Sequence, residues 1–195
     1  MKKAFLIMCI SIIYVIGNAQ GDKSNTLASQ LFKNFHVNWT TYKTDDYKWN
    51  RFGFGSAYGQ SFTFEKDLTW KVGCDIDWAK YTLNYTGNIR YVNQKSKMRT
   101  ASLSFPLTVN YKAYSTFWTG INVYSGPVYE QIIYLNTYNF FEPNLVSRAQ
   151  FGWTVGTNFR FGAIFSIRLA YVHYFTGMFV DGTMTRSGVR FSVGF

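Results

Sequence analysis

The chain has two cysteines, three prolines and two histidines in 195 residues, and each scarcity excludes something. Cys9 lies inside an N-terminal apolar run; if that run is removed, Cys74 stands alone and no intramolecular disulfide framework is available. A lone cysteine in an exported chain reads as a small apolar packing residue or, less commonly, a reactive thiol. His36 and His173 are too few for a histidine metal cluster, and the patterns HExxH, CxxC and GxSxG are absent. Neither a metal, nor another cofactor, nor a serine-hydrolase elbow is expected. Long apolar runs are lacking too: after Ile16 none approaches the ~20 residues of a membrane-spanning helix.

The one apolar run is Ala4 to Ile16, 13 residues, preceded by Lys2 and Lys3 and followed by Gly17, Asn18 and Ala19. A basic start, a short apolar stretch and small residues before a cut after Ala19 form the anatomy of a signal peptide, residues 1–19. Cys9 is disfavoured as a lipoprotein cysteine because the bulky Met8 precedes it and half the run follows it. Residues 20–33 show little pattern and read as a polar lead-in, leaving 34–195 as one domain. The net charge of +10 falls to +8 without Lys2 and Lys3. That excess points to an anionic surface such as phosphorylated glycolipid, or merely to solvated loop charge, and not to nucleic acid.

What the chain has in abundance is aromatic side chains, 21 % of its residues, and they recur with period two. Eight strands are predicted. The first is Asn34 to Lys43, with Phe35, Val37 and Trp39 opposite His36, Asn38 and Thr40. The second runs from Phe52 to Phe64, and the third carries Trp70, Val72, Cys74, Ile76 and Trp78 opposite Lys71, Gly73, Asp75 and Asp77. The fourth is Met98 to Tyr111, weakened locally by Pro106. The fifth begins near Phe117 and is interrupted at Gly126-Pro127. The sixth spans Gln150 to Phe161 and the seventh follows a tight Gly162-Ala163 turn. The eighth is the C-terminal stretch from Arg186 to Phe195. Connections after strands two, four and six are short; those after one, three, five and seven are longer, about 44–51, 79–97, 127–147 and 176–185. Such alternation suits an antiparallel up-and-down transmembrane β-barrel with short turns at one rim and long loops at the other.

Volume decides which face is inside. An eight-stranded barrel has an interior only just wide enough to be filled by side chains. Rows of Phe, Trp and Tyr from every strand would overfill it, whereas the opposite set, mostly Gly, Ser, Thr and Asn, fits. The aromatic face is therefore expected to look outward, into a bilayer, with Tyr111, Phe117, Phe161, Phe165 and Phe195 forming a girdle at the short-turn rim. The inward set includes Arg160, Arg168 and Arg190 from consecutive strands and Lys71, Asp75 and Asp77 from the third. Charges in a narrow lumen need partners, so these six are expected to form a buried polar network that plugs the barrel; a selective narrow pore lined by the same charges is the alternative.

Residues 101–129, ASLSFPLTVNYKAYSTFWTGINVYSGPVY, carry Leu103, Phe105, Pro106, Leu107, Tyr111, Gly120, Gly126 and Pro127 in an order that resembles the outer-membrane β-barrel domain of Bacteroidetes, the PorT-like porin family. The resemblance implies an outer-membrane location and contact with outer-membrane lipid, including lipopolysaccharide. It also implies insertion by the barrel-assembly machinery, with the final strand, Phe191, Val193 and the terminal Phe195, as the assembly signal, and it places both termini in the periplasm. It implies no single activity.

His173, in AYVHYFTG, lies on the outward parity near the outer end of strand seven, a placement that resembles the catalytic histidine of outer-membrane lipid A deacylases. Those enzymes carry H-x-S-N, and here Phe175 stands at the serine position, so the nucleophile is missing and an interfacial histidine is the simpler reading. The stretch from Pro127 to Ser147 reads either as a binding loop or as a continuation of strand five beyond the bilayer. The expected function is thus that of a non-enzymatic outer-membrane barrel with a structural or loop-mediated interaction role. The alternatives are a narrow solute channel and, behind it, a surface-lipid-modifying enzyme.

Overall fold

The computed structural model describes residues 34–43, 47–85, 97–138, 146–162, 165–177 and 185–194. The signal peptide and lead-in, and Phe195 of the assembly signal, lie outside them. Period-two alternation is realised as eight strands: β1 (Asn34–Lys43), β2 (Tyr47–Glu65), β3 (Leu68–Tyr85), β4 (Lys97–Ser115), β5 (Thr119–Tyr138), β6 (Ala149–Phe161), β7 (Phe165–Tyr174) and β8 (Arg186–Gly194). Each pairs antiparallel with the next, and β8 pairs with β1, so the sheet closes in sequence order and has no free edge.

The two parities separate as volume requires. His36, Asn38, Asp75, Asp77, Ser102 and Ser104 are buried inside, while Trp39 is 61 % exposed and Phe52, Phe54, Trp78, Phe151 and Phe191 stand outside with it. Two aromatic belts ring the exterior. Near the short turns are Phe62, Phe64, Trp70, Tyr111, Phe117 and Phe161; toward the other rim, Trp39 pairs with Phe52 and Phe54 with Trp78. Lys80 and Arg99, directly opposite each other across β3 and β4, are exposed at the level of this second belt, Lys80 facing Phe52 across the β2–β3 ladder. An apolar exterior of this extent aggregates in water and is stable against hydrocarbon.

Several boundaries differ from the sequence expectation. β2 starts at Tyr47, so the connection after β1 is only 44–46, and β3 runs on to Tyr85. β5 passes through Gly126-Pro127 without a break and reaches Tyr138, so the first part of the expected third loop is strand. The ladder continues past Gly126-Pro127, but alternation fades there because Ile132, Ile133, Tyr134 and Leu135 are consecutive apolar residues and the β4–β5 register shifts opposite them, between Ala101 and Ser102. Phe117, expected in strand five, lies in the turn before β5 and is 84 % exposed. Proline leaves its mark without ending a strand: the β3–β4 register skips from Val72↔Leu107 to Asp75↔Ser104, around Pro106, which has no N–H to donate. At the β6–β7 turn Gly162 takes φ 65°, a left-handed conformation that favours glycine.

Candidate functional site: the charged lumen

The site begins with missing side chains. On the inward face of β2 stand Gly53, Gly55, Ala57 and Gly59, between β1 and β3. His36 pairs with Gly55 on one side and Asp77 pairs with it on the other. With no Cβ at Gly55, the two side chains meet over its backbone, His36 Nε2 lying 2.5 Å from Asp77 Oδ1. A Cβ at Gly55 would fall 2.9 Å from that Nε2, 2.8 Å from Asp77 Oδ1 and 2.0 Å from the Ile76 carbonyl oxygen.

Asp77 is the hub. Asn38 Nδ2 donates to its Oδ1 at 2.6 Å, and Arg190 Nη2 donates to its Oδ2 at 3.1 Å. Arg190, reaching from β8, also donates from Nε to Asn38 Oδ1 at 2.6 Å and from Nη1 to Asp75 Oδ2 at 2.5 Å. Toward the long-connection rim a second cluster joins the first. Arg186 grips Glu130 with both terminal guanidinium nitrogens, Nη1 to Oε1 at 3.2 Å and Nη2 to Oε2, and its guanidinium lies 3.6 Å from the centre of the Tyr174 ring. Tyr174 donates its hydroxyl to Glu130 Oε2 at 2.5 Å. Arg51 links the clusters: Nη2 lies 3.7 Å from Glu130 Oε1 and 3.8 Å from Asp77 Oδ2, while Nε donates to the Tyr81 hydroxyl at 3.1 Å. Three arginines thus face three carboxylates in one connected set, and buried charges are tolerable when paired and hydrogen-bonded in this way.

Of the six charges expected to form the network, Asp75, Asp77 and Arg190 come together. Lys71 and Arg168 line a small cavity nearer the short turns, with Arg168 stacked 5.6 Å from the Tyr124 ring centre. Arg160 is corrected to a different place: it is exposed at the short-turn rim, 3.5 Å from Ser115 Oγ, apart from the others. Arg51, Glu130, Arg186, His36, Tyr81 and Tyr174 are network members that sequence reasoning missed. Arg51, Glu130 and Tyr81 fell in segments read as loops. Parity was the available signal, since Arg51 shares it with Gly53 and Gly55, and Glu130 with Tyr124, Gly126 and Val128.

Outside the barrel, Phe191 is exposed, and Val193 lies between Phe35 and Ile167. His173 pairs across the ladder with Trp153 and with Ser187, and its Nδ1 lies 2.6 Å from Ser187 Oγ; Phe175 meets the imidazole edge-on at 5.3 Å. A hydroxyl that the sequence did not offer is therefore supplied by the neighbouring strand.

No family model matches the chain, and no curated protein does. Among solved structures it is similar to the outer membrane enzyme PagL, at 14 % identity and TM-score 0.48 over 82 % of this chain and 99 % of that one. It is also similar to the N-terminal β-barrel domain of Pseudomonas aeruginosa OprF, at 8 % and 0.30 over 84 % and 98 %, and to LpxR from Salmonella typhimurium, at 10 % and 0.33 over 83 % and 100 %. The fold of this chain stands on its own strand pairing: a closed, eight-stranded, antiparallel up-and-down barrel with a charged lumen and an aromatic exterior.

Proposed function

We propose that the protein is an outer-membrane barrel whose lumen is sealed by its ion-pair network, and that its role is structural or interactive rather than enzymatic. The observation that carries this reading is the connected chain Glu130–Arg51–Asp77–Arg190–Asp75 across the lumen. A charge-balanced layer of paired side chains in a barrel of eight strands leaves no room for a hydrated solute. The aromatic exterior supports the membrane location, and the resemblance of residues 101–129 to PorT-like barrels agrees with it.

In the usual orientation of such barrels the short turns and both termini are periplasmic and the other rim faces outward. Strands β2 to β5, 18 to 20 residues each, exceed the ~9 to 11 that cross hydrocarbon and so carry the outer rim beyond it, where a partner can dock. Lys80 and Arg99, set side by side at the outer aromatic belt, suit the phosphates of lipopolysaccharide. Phe191, Val193 and Phe195 serve the barrel-assembly machinery as the terminal signal.

Purified protein in a planar bilayer tests the sealed lumen. Electrical silence is the expected result; steady single-channel steps altered in Asp75→Asn or Arg190→Gln would replace this reading with that of a narrow channel. Heating supplies the membrane control: unboiled protein in detergent is expected to migrate differently on a gel from boiled protein.

A second reading, hydrolysis of a surface lipid, is favoured by the His173–Ser187 contact, the minimal form of a base beside a nucleophile. No carboxylate among the described residues ion-pairs with His173 to orient it, which weakens the pair as a catalyst. Fatty-acid release from lipopolysaccharide that disappears in Ser187→Ala and in His173→Ala would establish it.

A further inference from the structure

Below the Arg190–Asp75 pair, toward the short turns, the lumen holds a cavity of about 50 Å³. Three cations line it, Lys71, Arg168 and Arg190, against one carboxylate, Asp75. Asp75 is engaged by Arg190 at 2.5 Å, and among the described residues no carboxylate lies within ion-pairing distance of Lys71 or Arg168. Lys71 and Arg168 face the same cavity. Lys71 is held by bare backbone: it lies over Gly59, where an added Cβ would meet its Cε at 2.3 Å. Tyr124, against which Arg168 stacks, lies over Gly156, where a Cβ would meet its hydroxyl at 2.7 Å. The Asn110 amide and the Thr108 hydroxyl complete a polar wall.

Like charges in a low-dielectric lumen repel strongly unless an anion lies between them. We propose that this cavity binds one small inorganic anion, a halide or phosphate, entering from the short-turn rim and held between Lys71 and Arg168. The volume suits one small ion or a water or two and excludes metabolites. The site rests on the sealed-lumen reading, because the Arg190, Asp75 and Asp77 layer is its closed end.

The experiment uses the full barrel in detergent at constant ionic strength, replacing gluconate stepwise by chloride or by phosphate while the thermal midpoint is followed. A saturable rise is expected in wild type, lost in Lys71→Met and in Arg168→Met and retained in Arg160→Gln at the exposed rim. Equal midpoints in all three salts, or an undiminished rise in the two cavity variants, would overturn the site. Should the variants fail to fold, calorimetric titration of wild type with phosphate decides, absence of saturable heat counting against the proposal. Conductance separates the two readings: channel steps alongside saturable binding would sink the seal and leave the anion site, whereas silence without binding would sink the site alone.

Discussion

The two halves of the lumen solve the problem of inward charge differently. Toward the long-connection rim, Arg51, Arg186 and Arg190 face Glu130, Asp77 and Asp75, and each carboxylate is held by at least one of them. Toward the short turns, Lys71 stands over glycine backbone and Arg168 over an aromatic ring, beside a cavity and, among the described residues, without an ion-paired acid. The first arrangement is a lock, in which every charge depends on another. The second is an excess of positive charge, in which removing a cation leaves no carboxylate behind unpaired.

Breaking the lock is expected to have the largest effect. Glu130→Gln keeps the volume but leaves Arg51 and Arg186 without their shared carboxylate, a loss of about 3 to 5 kcal/mol, read as a lowered urea midpoint in detergent or vesicles. Next comes the glycine column. Gly55→Ala forces a methyl against the Ile76 carbonyl and between His36 and Asp77, and overpacking of this kind costs about 1 to 3 kcal/mol, visible as a shift in the same midpoint. In the other half, Lys71→Met removes a cation that repels Arg168, so in the absence of chloride and phosphate stability is expected to change by about 1 kcal/mol or less, toward gain rather than loss. A loss as large as that of Glu130→Gln would erase the contrast between the halves. The smallest effect is expected outside the lumen: His173→Ala, which forfeits the Ser187 contact and the edge-on Phe175 contact at the lipid face, should move the midpoint by about 0.5 kcal/mol.

How much of this was legible can be followed along β2 and β5. From Phe52 to Phe64 the alternation of aromatics with glycine announced both the strand and its inward face, and the same rule put Asp75 and Asp77 in the lumen. It failed at Arg51 and Glu130. Outside the apolar band neither face of a strand is required to be hydrophobic, so the periodic signal ends while the hydrogen-bonded ladder goes on. Arg160 failed in the opposite way: its parity was right, but parity says nothing about depth, and Arg160 lies at the rim. Ser187 was out of reach for a third reason, since its contact with His173 exists only once β7 and β8 are paired in register.

Local sequence by itself determined the strands, their parity and the side that faces lipid, because period-two burial in a narrow barrel is a matter of side-chain volume and needs no knowledge of neighbours. Only the closed tertiary structure decided which charges meet. Partners such as Arg190 and Asp75 or Arg186 and Glu130 come from strands remote in sequence, and their contact depends on register and closure, which no single strand encodes.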